Sequence, residues 1–520
     1  MKGFERLGVL AVSFLVVVFV PPAWAQDIDQ AQGVDPGVDY ASLTKYGPWD
    51  DRNYQLTKSD LVYFSPEEAK LADPIPAFFR IELRKELANL RRTGPAQYPR
   101  AAVPLFYKRY GGLIQNGELV DGSSEYSPQE SIPGDGEGLV NGEIKLNQVL
   151  GANEVTIEIN PANPMQVIAG SNNNGGQEMY YSTDGGQNWT IQGVLPDTCC
   201  DPTIDWKSDG SIAYVAALSS FPTLMVSFWR SFDGGQTWVD RFNVTAGGSD
   251  KEFIHVDRSP TSPYQDSIYL TYHNGNTMQF ARSVNDGVNW DIQAFGAAPS
   301  GIGSDITTTS NGDIFYVYGA FNTQTIELLK STDGGNTFDP AFTITPTSGS
   351  FDWPIPAMES RRAWIYAAAD ADRSGGPWDG SVYVAFTDTT GPESATAANN
   401  HTIIEVWYSR DGGATWNVSN PHSMLDTNDV DRFNQWIKVD EAGNVHVVFY
   451  DTRHSLNRTG VDLYYNVSTD GGVTWGEPQR VTSETSQNLT DGQEWGDYNG
   501  ISVLFDKTLS TWTDNRDGPP

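Results

Sequence analysis

Cysteine is almost missing: the 520 residues contain two, Cys199 and Cys200, side by side. Two adjacent residues are too few for a structural zinc site, which usually needs four ligands. In an oxidising space they close a vicinal disulfide or stay as thiols, and a structural kink is the reading favoured over a ligand-contacting role. Positive charge is scarce as well. Against 66 Asp and Glu there are 33 Lys and Arg, a formal net charge of −33 with a sequence pI near 4.3. Such a surface repels nucleic-acid phosphates and anionic membranes, so no nucleic-acid partner is expected. Long apolar runs are lacking beyond residue 25, which leaves no membrane span in the mature chain. Helical periodicity is confined to one stretch, Pro74 to Arg92, where Phe78, Phe79, Ile81, Leu83, Leu87 and Leu90 alternate with basic residues before Gly94-Pro95.

What the chain has in quantity is turns. Ser182-Thr183-Asp184-Gly185-Gly186-Gln187-Asn188-Trp189 recurs at Ser231 to Trp238, Ser283 to Trp290, Ser331 to Phe338, Ser409 to Trp416 and Ser468 to Trp475. The shared pattern is Ser-x-Asp-x-Gly-x-x-aromatic. An Asp or Asn side chain folds back onto nearby backbone N–H groups, Gly supplies a positive φ, and the aromatic plugs the ring beneath the hairpin. Successive serines are 49, 52, 48, 78 and 59 residues apart, and about fifty residues suit one four-stranded unit. The 78-residue interval implies loops inserted around the fifth unit, and inserted loops often carry function.

The motif resembles the Asp box of the sialidase superfamily. That resemblance implies an all-β, Asp-box β-propeller over residues 142–520, with the boxes on the outer rim away from any active site. Six full units plus two strands after the last box lead us to expect seven blades, the seventh completed by Gly142 to Leu150; six blades with an extra hairpin is the alternative. Residues 1–25 read as a signal peptide: Lys2 and Arg6, an apolar run from Leu7 to Val20, and Ala23-Trp24-Ala25 before the cut. The mature protein is then expected to be secreted or periplasmic, and a monomer. Residues 26–141 read as a largely irregular extension holding the helix at 74–92.

Chemistry is expected on the face opposite the boxes. Asp201, Asp250, Asp305, Asp352, Asp431 and Asp497 each fall just before or at an expected innermost strand, forming a ring of carboxylates around a central funnel. Crowded like charges require raised pKa values, nearby arginines or a bound cation, for which calcium is the natural candidate. A sialidase needs cations for the substrate carboxylate, a tyrosine nucleophile with a glutamate, and an acid. The resemblance places Arg453 and Arg516, with Arg432 or Arg362, in the first role, flanked by Asp451, Asp514 and His454. Tyr498 with Glu494 would be nucleophile and base, and Asp201 or Asp250 the acid. The Phe-Arg-Ile-Pro sequence that supplies the first arginine in that family is absent before the first box. Three functions are therefore carried forward: a sialidase-type glycoside hydrolase acting on or binding glycans, a non-catalytic module binding glycan, cation or protein, and a polysaccharide lyase.

Overall fold

The computed structural model describes residues 112–115, 118–121, 143–146 and 152–515, apart from short segments within the last of these, the longest being 391–400. The signal sequence and the helix expected at 74–92 lie outside the described residues.

Six four-stranded antiparallel sheets follow one another along the chain, over residues 153–194, 198–243, 249–294, 301–346, 367–419 and 432–480; in the last, Ser486–Gln487 also pairs with the start of the third strand. Each is a blade whose first strand is innermost, and first strands of successive blades pack side by side around an axis. Second strands such as Ala213–Ser219 and Ile314–Ala320 are buried at every residue, because a neighbouring blade covers each face. Fourth strands such as Thr190–Val194 form the exposed rim. The core is therefore divided into apolar layers between blades. One such layer joins Tyr214, Phe228 and Leu218 of the second blade to Ile254, Leu270 and Tyr272 of the third.

The boxes close the turns between third and fourth strands. Ser182 Oγ donates to Asp184 Oδ1 at 2.8 Å and accepts the Gly186 N–H at 2.8 Å, while Asp184 Oδ1 takes the Asn188 N–H at 2.9 Å. The set recurs around Ser231, Ser283, Ser331, Ser409 and Ser468. Each aromatic packs against the preceding blade. Trp290 stands edge-on to Phe228 at 5.1 Å, and Phe338 to Phe280 at 4.9 Å.

Polar side chains stitch the inner strands together. The Val256 N–H donates to Asp205 Oδ2 at 2.7 Å, Ala369 N–H to Asp305 Oδ2 at 2.8 Å, and Val439 N–H to Asp370 Oδ2 at 2.8 Å. Asp305, expected to line an open funnel, is thus a buried acceptor between blades.

Among the described residues six blades form, with no seventh. After the sixth comes a two-stranded hairpin, Gly500–Leu504 with Lys507–Thr511, lodged between the sixth blade and the first. Ile501 packs with Phe433 and Tyr450, Leu504 packs with Ile157 and Ile159, and the Ile159 N–H donates to Ser502 Oγ at 3.0 Å. Of the closing strand expected at Gly142 to Leu150, residues 143–146 are described and carry no strand pairing, although Leu146 packs against the same apolar cluster as Leu509.

Candidate functional site

Antiparallel order sorts the two ends of every blade. Val167, at the start of the first blade's second strand, pairs with Ser182 of the box, so boxes share a face with the ends of inner strands. The starts of inner strands gather on the opposite face. There five of the six inner strands are broken by a bulge, with register shifts between Asn153 and Val155, Cys200 and Thr203, Asp250 and Phe253, Ile302 and Ser304, and Phe433 and Trp436, while Ala367–Ala371 of the fifth blade pairs in regular register.

The bulged residue is left-handed: Glu154 (φ 50°), Asp201 (58°), Lys251 (52°), Gly303 (67°) and Asn434 (51°), with Gly496 (67°) ahead of the hairpin. For Glu and Lys this conformation costs about 1–2 kcal/mol each. Glycine is obligatory at two of these positions, since a Cβ at Gly303 would lie 1.8 Å from the Tyr366 ring and one at Gly496 would lie 2.7 Å from the Glu154 nitrogen.

The bulges bring four ionisable groups together. Lys251 Nζ stands 2.5 Å from Asp497 Oδ2, 3.2 Å from Asp201 Oδ1 and 3.6 Å from Glu154 Oε1, and all four side chains are buried. Burial alone would depress the ammonium, but Asp201, Asp497 and Glu154 outweigh it and hold the Lys251 pKa well above its usual value. The Tyr498 hydroxyl donates to Asp201 Oδ1 at 3.2 Å. Burial, then Asp201 and Glu154, push the phenol well up, so it is held protonated. Phe253, Trp436 and Tyr498 form an aromatic collar, with centroids 5.0 to 6.0 Å apart.

Toward solvent lies Asp250, whose side chain is 45% exposed; its Oδ2 is 3.7 Å from His273 Nε2. Glu252, beside it, is buried, and neither carboxyl oxygen has a hydrogen-bond partner. Burial, with Asp201 and Asp250 adding to it, raises the Glu252 pKa strongly. Down the axis below the collar is a polar cavity of about 40 Å³, lined by Thr203, His255, Asp305, Asp370, Lys438 and Asn499 among others. That volume accommodates a water or two and excludes a sugar ring. Beneath it, Lys438 pairs with Glu158 at 2.6 Å and Arg373 with Asp370 at 2.6 Å. Ligand access is therefore confined to the mouth.

Residues 180–190 match the BNR/Asp-box repeat family. The chain is a β-propeller whose turns carry Asp-box repeats. Residues 39–124, ahead of the propeller, match a domain of unknown function (DUF8300). No curated protein matches the sequence. Among solved structures the propeller is similar to the intramolecular trans-sialidase from Ruminococcus gnavus, at 10% identity over 62% of this chain and 95% of that one, TM-score 0.42. It is similar also to the BP39L lectin from Burkholderia pseudomallei, at 11% identity over 63% and 84% of the two chains, TM-score 0.43. A polysaccharide lyase family 25 ulvan lyase is a third, at 13% identity over 56% and 72%, TM-score 0.38.

In this propeller, Tyr498, Asp201 and Asp497 share one cluster, and Asp250 borders it. The arginines lie elsewhere. Arg432 Nε donates to Asp451 Oδ2 at 2.7 Å, and Arg453 donates to the same carboxylate at 2.8 and 3.1 Å while stacking on Tyr464 at 4.1 Å. Burial opposes the Asp451 charge, but the two guanidiniums hold its pKa far below the usual range. The expected substrate clamp is thus engaged internally. His454 Nδ1 faces Asp462 at 3.2 Å, Trp512 Nε1 donates to Asp514 at 3.4 Å, and Asp431 faces Arg458 at 3.2 Å. Arg362, Glu494 and Arg516 lie outside the described residues.

The Lys251 ammonium lies among Asp201, Asp497 and Glu154, and among the described residues no group of three or more His, Cys, Asp or Glu is placed to hold a metal ion. Cys199 and Cys200 form a disulfide immediately before the bulged Asp201, on the side of the second-to-third blade layer. Among the described residues no helix is long and apolar enough to cross a membrane. Sequence reasoning missed Lys251, Glu154, Glu252 and the bulge that assembles them. The one available signal was a lysine set inside Asp250-Lys251-Glu252.

Proposed function

We propose that the protein is an exported glycan-recognising propeller that meets its ligand at the mouth of the funnel, over Lys251, Tyr498, Trp436 and Asp250. The leader is removed after Ala25, and the mature chain works as a monomer outside the cytoplasm. One observation carries the reading: Glu154, Asp201, Lys251 and Asn434 hold left-handed backbone at equivalent positions around a single point. Backbone strain retained at one end of an otherwise regular ring concentrates where a ligand is recognised. Aromatic faces beside carboxylates suit sugars, which offer apolar ring faces and hydroxyl donors.

A second reading is glycoside hydrolysis of the sialidase type, favoured by the contact between the Tyr498 hydroxyl and Asp201. In it the Tyr498 oxygen attacks the anomeric carbon as its proton passes to Asp201, the glycosidic C–O bond breaks with the leaving oxygen taking a proton from solvent, and water then hydrolyses the tyrosyl glycoside. The engagement of Arg432 and Arg453 by Asp451 weighs toward binding rather than hydrolysis of an anionic sugar.

The test is a glycan array probed with the mature chain, together with release of reducing sugar from each bound glycan. Binding weakened tenfold or more by Trp436→Ala supports recognition at the mouth. Turnover lost in Tyr498→Phe supports the hydrolase, and binding that Trp436→Ala leaves unchanged places the ligand elsewhere.

A further inference from the structure

The pair formed by Asp250 and His273 is incomplete in a way that identifies a ligand group. His273 Nδ1 lies 2.6 Å from the Gly275 carbonyl oxygen. A carbonyl only accepts, so Nδ1 carries the proton and Nε2 presents a lone pair. Burial drives the imidazole pKa down to about 4, so the ring is neutral at ordinary pH. The lone pair on Nε2 is buried, has no hydrogen-bond partner, and faces the half-exposed carboxylate of Asp250 at 3.7 Å. Two acceptors therefore face each other with no donor between them.

Asp201, Asp497 and Glu154 are the carboxylates that reach the Lys251 ammonium, and Asp250 is not among them; Glu252 beside it is a buried carboxyl whose pKa is strongly raised. Glu252 also leaves both buried oxygens without a hydrogen-bond partner. A group that completes this arrangement carries several N–H donors and a positive charge.

We propose that the mouth selects a protonated amine, with the ammonium of an amino sugar bridging Asp250 Oδ2 and His273 Nε2. The inference rests on the glycan reading above and narrows it: the preferred glycan is de-N-acetylated hexosamine rather than a carboxylated sugar. A sialoside carboxylate would meet the Asp250 carboxylate head-on, with Arg432 and Arg453 already turned to Asp451.

The experiment is calorimetric titration of the mature chain with three probes: a glucosamine oligomer, its fully N-acetylated counterpart of equal length, and sialyllactose, at pH 6 and two salt concentrations. A charged hydrogen bond of this kind corresponds to roughly ten- to a hundredfold in affinity. The glucosamine oligomer is expected to bind at least tenfold more tightly than the N-acetylated one, and that margin is expected to shrink with salt. Asp250→Asn, which keeps the size and an acceptor oxygen of the side chain while removing its charge, should erase the margin between the two oligomers, with an unchanged melting curve confirming the fold. His273→Phe should reduce it. Equal affinity for both oligomers, or preference for sialyllactose, overturns the amine assignment while leaving glycan recognition standing. Failure of all three probes, together with a blank glycan array, overturns both.

Discussion

Replacing Lys251 by Met removes the ammonium that reaches Asp201, Asp497 and Glu154, and that stands over the Tyr498 and Tyr366 rings, while keeping an unbranched side chain of similar length. Methionine meets the same left-handed backbone, so strain is unchanged and the difference is electrostatic. Breaking a buried ion pair by deleting one partner costs about 3–5 kcal/mol, because charge is left without compensation. At roughly 2.1 cal/mol/K per residue over a propeller of about 360 residues, that loss lowers Tm by about 4–7 °C. The pH dependence separates this mechanism from simple misfit. Burial already raises the folded-state pKa of Asp201 against the pull of Lys251, and without the ammonium it rises further above its unfolded value near 4, so the folded variant holds a proton that the unfolded state releases. The deficit of the variant against wild type should therefore narrow as pH falls from 7.5 to 5. Scanning calorimetry at those two pH values is the assay. A Tm within 1 °C of wild type at pH 7.5, or a deficit equally large at pH 5, refutes the view that Lys251 holds the mouth together.

Asp451→Ala leaves the fully buried Arg432 and the stacked Arg453 without their shared carboxylate, and should cost about 3–5 kcal/mol by denaturant unfolding, where Arg453→Ala costs less. The box aspartates set the acid limit of the fold. Hydrogen bonds from Asn188 and Ser182 hold Asp184 at about 2, and those from Thr415 and Ser409 hold Asp411 at about 2. A depressed folded pKa contributes stability above the unfolded value near 4 that is lost as pH falls toward 2, so circular dichroism should show melting of the rim turns in that window.

The rim was readable from the sequence because a box is local: Ser, Asp, Gly and an aromatic satisfy one another within eight residues. The mouth was not. Glu154, Asp201, Lys251, Gly303 and Asn434 occupy one structural position with five different residue types, and only a register shift against the neighbouring strand reveals it. Tyr498 and Asp201, singled out separately, meet across 297 residues of chain. Asp305 was legible as an inner-strand carboxylate, but its partner, the Ala369 N–H, belongs to the next blade. Arg432 and Arg453 were recognised as chemically apt, and the carboxylate that engages them, Asp451, was taken for a neighbour in the same site. Blade number failed for a related reason: two strands read as half of a larger unit, whereas the hairpin fills the seam by wedging between finished blades.

That seam has a kinetic side. The bond from Ile159 N–H to Ser502 Oγ spans 343 residues, and the first blade cannot be capped until both ends of that span exist. At a synthesis rate of about 5–20 residues per second, roughly 17 to 70 s pass between the two, longer than most elementary folding steps take. During that interval the face of the first blade bearing Ile157, Ile159 and Val167, which in the finished ring packs against Leu504 and Leu509, stands as a bare apolar surface on an emerging chain. The last structured strands thus act as a latch, and the nascent protein depends on whatever shields that face until the latch arrives.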